Sequence, residues 1–126
     1  MNIPDDLRFL ASHEWHRLDD QLVTIGISQY AADELTDITY VDLPKVGAVL
    51  EAGSPFGEIE SVKATAELSS GVTGAVREVN ERLADEPELV NNDPYGDGWM
   101  IRVEVKGPAD FDKLMGPAEY AKHIGG

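Results

Sequence analysis

The chain has 126 residues, 10 Lys and Arg against 24 Asp and Glu, a formal charge of −14 and 42% hydrophobic residues. That length suits one domain with a real core, and the acidity excludes a surface for nucleic acid or an anionic membrane, which needs clustered cations. Partners are expected to be proteins with basic docking faces, and the 12 Gly and 7 Pro argue against a simple helical bundle.

The first clean periodicity runs from Gln21 to Ile27, where Val23, Ile25 and Ile27 alternate with Thr24 and Gly26 as in a half-buried strand. Ser28 then caps a predicted helix over Gln29 to Leu35. A strand opens at Asp37 and carries Thr39, Val41 and Leu43 until Pro44 stops its pairing. Short apolar runs follow at Ala48 to Leu50, Phe56 to Ser61 and Ala64 to Leu68, which read as a β-meander. Thr73 to Asn80 supplies another strand. Glu81 to Asn91, interrupted by Pro87, permits two single helical turns. Trp99, Ile101, Val103 and Val105 alternate as a last strand, and Phe111, Leu114 and Met115 predict a helix that Gly116-Pro117 ends before a final turn over Ala118 to Ile124. Val46-Gly47-Ala48-Val49 is echoed by Val72-Thr73-Gly74-Ala75-Val76, as quasi-symmetric halves would require. Regular short strands with Gly-rich turns point to a small antiparallel barrel or sandwich.

No Cys is present. Disulfides, thiolate metal sites and thiol nucleophiles are therefore excluded, and any redox sulfur must arrive on a cofactor. No apolar run approaches the roughly 20 residues of a membrane span, and Met1-Asn2-Ile3-Pro4-Asp5-Asp6 is acidic where a targeting peptide would be basic. The expectation is a cytoplasmic protein.

Most chemical motifs fail on spacing. His13-Glu14-Trp15-His16 sets its histidines three apart, whereas a zinc-protease helix needs i and i+4, so the segment reads as two partly exposed histidines around a packed Trp15. Asp93, Asp97, Gly98 and Glu104 match part of a calcium loop, but Tyr95 stands where an oxygen ligand is needed and a strand replaces the exiting helix. Glu58 and Glu60 share a strand face and read as solvated charge.

One constellation survives. In Gly57-Glu58-Ile59-Glu60-Ser61-Val62-Lys63-Ala64-Thr65-Ala66-Glu67-Leu68, a single Lys sits between two strand-like runs. A two-residue hairpin tip would turn the Lys63 side chain outward, within reach of a modifying enzyme. An arbitrary exposed Lys merely solubilises a turn, so more than exposure is needed.

Ser12-His13-Glu14-Trp15, Thr24-Ile25-Gly26-Ile27, Val41-Asp42-Leu43-Pro44-x-Val46-Gly47, Glu60-Ser61-Val62-Lys63-Ala64, Pro87-Glu88-Leu89-Val90-Asn91 and Asp93-Pro94-Tyr95-Gly96-x-Gly98-Trp99 follow one another along nearly the whole chain. In that order they resemble the blocks of the glycine cleavage system H-protein family. The resemblance implies a mainly β fold, a barrel-sandwich hybrid of the lipoyl and biotinyl type with short helices, as one lipoyl-carrier domain over 1–126 with a C-terminal helical segment about 108–124 packed on it. It implies lipoate in amide linkage to Lys63, with Glu60, Ser61, Val62 and Ala64 as the recognition residues around the attachment point. Ser12, Glu14 and Glu67 match positions of a cleft that holds the loaded arm, although Glu14 reads equally as an exposed strand acid.

By the same resemblance the chain is a carrier and a substrate of other enzymes, with no catalytic or metal-binding residue of its own. Glycine decarboxylase would load an aminomethyl group, aminomethyltransferase would pass its carbon to tetrahydrofolate, and dihydrolipoamide dehydrogenase would reoxidise the dithiol. A lipoate-attaching enzyme completes the implied partners, and a monomer is expected. Three positions depart from the family: Ala66-Glu67 where Ser-Asp is frequent, Gly71 where Pro is common, and Glu34 where His sometimes stands. An H-like carrier for lipoyl relay or sulfur oxidation is the alternative. A biotinyl carrier is disfavoured because Val62 and Ala64, not Met, flank Lys63, and an acidic interaction module without cofactor is the remaining contrast.

Overall fold

Hydrophobic alternation sets two antiparallel sheets against each other in the computed structural model, which describes residues 3–125. The chain runs through β1 (Arg8–Phe9), β2 (Glu14–Asp19), β3 (Leu22–Ile27), α1 (Gln29–Leu35), β4 (Ile38–Asp42), β5 (Val49–Leu50), β6 (Pro55–Ser61), β7 (Thr65–Ser69) and β8 (Gly74–Val79). It continues through α2 (Arg82–Asp85), α3 (Leu89–Asn92), β9 (Ile101–Glu104), α4 (Ala109–Asp112) and α5 (Pro117–His123). The larger sheet has the order β1-β2-β3-β9-β8-β5 and the smaller β4-β6-β7. Met1 and Asn2 of the acidic opening stretch lie outside the described residues.

The main core fills the space between the sheets. Val23, Ile25, Val76, Ile101 and Val103 face Ile38, Val41, Ile59 and Leu68 across it, all buried. Burying a side chain of this size contributes about 2 kcal/mol, so the sheet pair forms without any bound group. Among the described residues no helix is long and apolar enough to cross a membrane.

Close backbone approach fixes the smaller sheet. A Cβ at Gly57 would lie 2.0 Å from the Asp42 carbonyl oxygen, so only glycine lets β6 pass β4 in this register. The predicted strands over residues 21–27, 37–43, 56–61 and 64–68 match β3, β4, β6 and β7, and Ser28 caps α1 by accepting the Ala31 N–H at 3.2 Å.

The β-meander is corrected. β5 leaves its sequence neighbours and pairs with β8, Val49 opposite Ala75 and Leu50 opposite Gly74. The two echoed segments are thus bonded to each other, with Val76 N–H donating to the Ala48 carbonyl at 2.8 Å. The final strand is shorter than its periodicity, because Trp99 and Met100 precede β9, and the predicted helix around Phe111 is the single turn α4. Asp93 does not await an ion. Its Oδ2 accepts the Asp97 N–H at 2.8 Å and closes the turn ahead of β9.

A second core covers the outer face of β1 and β2, where Leu7, Phe9, Trp15 and Tyr120 are fully buried. Phe9 and Tyr120 stack with ring centroids 4.1 Å apart, and Trp15 Nε1 donates to the Pro94 carbonyl at 2.9 Å. With α5 and the 94–99 loop outside and the smaller sheet inside, β2 is covered on both faces. Its residues Glu14, Trp15 and His16 are buried in succession.

His16 is therefore not partly exposed, as the sequence suggests, but fully buried. Nε2 accepts the Gly71 N–H at 3.0 Å, which a proline there could not supply. The proton then sits on Nδ1, which has no partner at hydrogen-bonding geometry among the described residues. Burial pulls the imidazole pKa from 6.5 to about 4, with the Arg8 and Glu14 backbone opposing. A lowered pKa means the unfolded chain binds the proton first, so this stability is complete above pH 6.5 and is lost as pH falls toward 4. The full loss is about 3 kcal/mol. Chemical denaturation of the wild type should show that acid-side decline, and His16→Gln, which keeps an acceptor for Gly71, should remove that part of the slope. Gly57→Ala should lower stability by about 2 kcal/mol or more at any pH.

Candidate functional site

The β6–β7 hairpin is tied by one side chain at its tip. Ser61 Oγ accepts the N–H groups of Lys63 at 3.1 Å and Ala64 at 3.0 Å, while Ser61 N–H donates to the Ala64 carbonyl at 2.8 Å. A serine hydroxyl substituting for backbone partners is a standard way to hold a tight turn. Val62 N–H donates to the Asp37 carbonyl at 3.0 Å and anchors the tip to the loop before β4. Lys63 is exposed, as are Glu60, Val62 and Ala64. The Lys63 ammonium donates to the Glu34 carbonyl at 3.2 Å, at the C-terminal turn of α1.

Glu34 also lines a cleft of about 240 Å³ between α1, the β1–β2 turn and the edge of the smaller sheet. Its walls include Ser12, His13, Glu14, Tyr30, Glu34 and Glu67, with Ile27, Ile59 and Leu68 as an apolar floor. The cleft thus brings together Ser12, Glu14 and Glu67, and the Lys63 amine starts at its rim. A larger groove of about 730 Å³ lies on the β5–β8–β9 side and contains none of these residues.

Glu14 is not an exposed strand acid. It is 1% exposed, accepts the Ser12 hydroxyl through Oε1 and accepts the Ser69 N–H through Oε2 at 2.6 Å. Burial pushes its carboxyl above the usual carboxylate range despite those donors, and nearby Glu67 adds to the rise. No cation is paired with it among the described residues. A desolvated carboxylate with no counter-ion favours any cation that enters, because charges interact more strongly away from water.

His13 is partly exposed, as its sequence context suggests, but the residues that hold it were not signalled there. The β1–β2 turn gives His13 a φ of +84°, a left-handed conformation that costs a non-glycine residue roughly 1 kcal/mol. Its Nδ1 is 2.9 Å from the Tyr120 hydroxyl, which is 2.6 Å from Ser28 Oγ. His13 and Tyr120 are 107 positions apart, so no local pattern signals the contact. Among the described residues no group of three His, Asp or Glu side chains is arranged to hold a metal.

Comparison with known proteins accords with this geometry. Residues 7–125 match the family model described as Glycine cleavage H-protein. A probable glycine cleavage system H protein of Haloarcula marismortui is 48% identical over 123 residues, covering 98% of this chain and 97% of its own length. The mitochondrial glycine cleavage system H protein of Oryza sativa subsp. indica is 44% identical over 119 residues, covering 94% of this chain and 73% of its own. The crystal structure of a glycine cleavage system H protein from Mycobacterium marinum superposes with a TM-score of 0.89 at 35% identity, over 98% of this chain and 99% of that one. The chain belongs to the glycine cleavage H-protein family.

Proposed function

We propose that residues 1–126 act as a single carrier domain whose Lys63 bears lipoate in amide linkage, and that Ser12, Glu14 and Glu67 receive the arm's charged end. Membership of the family makes the chain a lipoyl carrier of the glycine cleavage system. The observation that carries the finer reading is an exposed Lys63 amine at the rim of a cleft walled by the buried Glu14, which has no ion-pair partner among the described residues.

The residues fit the group. The Lys stem and acyl chain together reach roughly 14 Å from standard bond lengths, enough to fold back over the adjoining cleft or to extend into a partner. When bound, lipoate supplies a disulfide that can be reductively aminomethylated and later reoxidised. A chain without Cys cannot trap that disulfide by thiol exchange.

Each cleft residue then has a stated task. Ser12 O–H and Ser69 N–H hold the Glu14 carboxylate in one orientation, so it needs no rearrangement to meet an ammonium. Glu67, exposed at the rim, attracts the same cation before it is desolvated. Ile27, Ile59 and Leu68 exclude water from beneath the arm. Ser61 fixes the turn that projects Lys63, while Glu60, Val62 and Ala64 present the surface that a lipoate-attaching enzyme reads.

On this reading the chain is a substrate rather than an enzyme, presented in turn to glycine decarboxylase, aminomethyltransferase and dihydrolipoamide dehydrogenase. Its acidity suits basic docking faces on those partners. A cytoplasmic monomer is the form in which one arm visits all three.

Intact mass of protein from cells competent for lipoylation should show one lipoyl group, mapped to Lys63 by peptide fragmentation. Lys63→Arg keeps the positive charge but cannot form the amide, so it should remain folded and carry none; lipoate on another residue would overturn the assignment. Glu14→Gln should leave attachment intact and shorten the lifetime of the amine-bearing arm at pH 7 by about tenfold, the scale of one partly shielded ion pair. An unchanged lifetime would remove Glu14 from the role.

A further inference from the structure

His13 stands in the wall of the cleft with no part in the scheme above. We propose that His13, oriented by Tyr120 of α5, sets the charge selectivity of the cleft: as a neutral acceptor it admits an ammonium, and once protonated it competes with that ammonium for the same carboxylates. The inference rests on the reading of the cleft as the seat of the arm's charged end.

The geometry restricts what the ring can do. His13 follows Ser12 and precedes Glu14 in a turn fixed on both sides, with His13 N–H donating to the Leu10 carbonyl at 3.0 Å and its own carbonyl accepting the Ser28 N–H at 2.9 Å. The left-handed φ of +84° aims the side chain out of the strand direction, between α1 and α5. Tyr30 of α1 lies with its ring centroid 5.0 Å away, and Tyr120 and His123 of α5 lie at 5.8 Å each. Backbone strain at a non-glycine residue in a cleft wall marks a position held by its surroundings.

The hydrogen-bond chain has two states. Ser28 Oγ accepts the Ala31 N–H at 3.2 Å and is 2.6 Å from the Tyr120 oxygen. Burial keeps the Tyr120 phenol protonated, with its pKa raised to about 12. That phenol has one proton to donate, either to His13 Nδ1 or to Ser28 Oγ. A neutral His13 can accept it. A protonated His13 must instead donate Nδ1–H to the Tyr120 oxygen, and the phenol proton turns to Ser28. Either state satisfies the buried Tyr120 hydroxyl, so changing the charge on His13 requires no repacking.

The charges around the ring decide which state prevails. From its own segment Glu14 adjoins it, from α1 Glu34 and the neutral Tyr30 face it, and from α5 His123 and Tyr120 face it. Burial, and next the neighbouring His123, hold His13 below the usual 6.5, while Glu34 opposes them. The ring is thus neutral at pH 7 and adds no positive charge to a cleft walled by Glu14, Glu34 and Glu67. By linkage, a cation in the cleft must in turn oppose His13 protonation.

The test titrates the His13 ring by NMR in the unmodified chain, with methylammonium chloride compared against sodium chloride at equal ionic strength. The expected result is a titration below 6.5 that methylammonium moves further down than sodium does, and by less in Glu14→Gln. In parallel, lipoylated protein carrying the aminomethyl arm is followed for hydrolysis, in which water converts the S–CH2–NH3+ group to a thiol, formaldehyde and ammonium. The wild type should lose its amine about tenfold faster as His13 becomes protonated, the scale of one added like charge. His13→Asn tolerates the left-handed backbone and cannot titrate, so it should lack that step.

Equal responses to the two salts, or the wild-type acid step persisting in His13→Asn, would overturn the role of His13. A chain without lipoate at Lys63 would instead refute the attachment reading, and the salt titration would still decide whether His13 and a cation compete.

Discussion

The Glu14 carboxylate is the interaction on which the site depends. It leaves β2 in the larger sheet and accepts the Ser69 N–H at the end of β7 in the smaller one, so a single acid joins the two layers beside the cleft. The bond satisfies a backbone donor at a sheet edge, and it holds an ionisable group where water scarcely reaches. Those two consequences oppose each other. Desolvation disfavours the charge that the hydrogen bonds from Ser12 and Ser69 support, leaving a carboxyl raised above its ordinary range and, among the described residues, lacking a counter-ion. On the proposed reading, a cation delivered on the Lys63 tether would relieve that conflict.

The second core keeps Glu14 in place. Trp15 and Phe9 pack outward against Tyr120 of α5 while Glu14 and His16 point inward, so α5 fixes the rotation of β2 about its axis. The same Tyr120 carries its hydroxyl to Ser28 and His13, connecting the C-terminal segment to the cleft wall. His16 completes the arrangement by accepting the Gly71 N–H just beyond β7. Gly71, one of the departures from the family pattern, is thus matched to a buried neutral histidine in this chain.

What the sequence made legible follows from the residue types that each element buries. β3 is legible from its alternating residue types although Val23 to Ile27 are all buried, so it is not the half-buried strand the alternation predicts. β4 and β6 bury Ile38 with Val41 and Phe56 with Ile59, three apart across irregular registers, and Ser28 announces the start of α1 as a cap should. β2 was not legible, because two of its three buried residues, Glu14 and His16, are polar types that show no hydrophobic period. β5 has only two residues, too few to display a period, and its partner in β8 is set by the sheet rather than by proximity in the chain. At the site, Lys63 stands out as one cation within an acidic hairpin, and Ser12, Glu14 and Glu67 follow from family resemblance. The burial of Glu14 and the Tyr120–His13 link did not, since both depend on segments distant in sequence.

The central claim is that the Glu14 carboxyl is strained toward its neutral form until a cation on the arm relieves it. The most direct measurement is a carbon-13 NMR titration of the Glu14 side-chain carboxyl in the unmodified protein and in lipoylated protein whose arm bears an amine. The account predicts a pKa above 4.5 in the first and a lower value in the second. A Glu14 that titrates at or below 4.5 without the arm, or at the same pH with and without the amine, would contradict it.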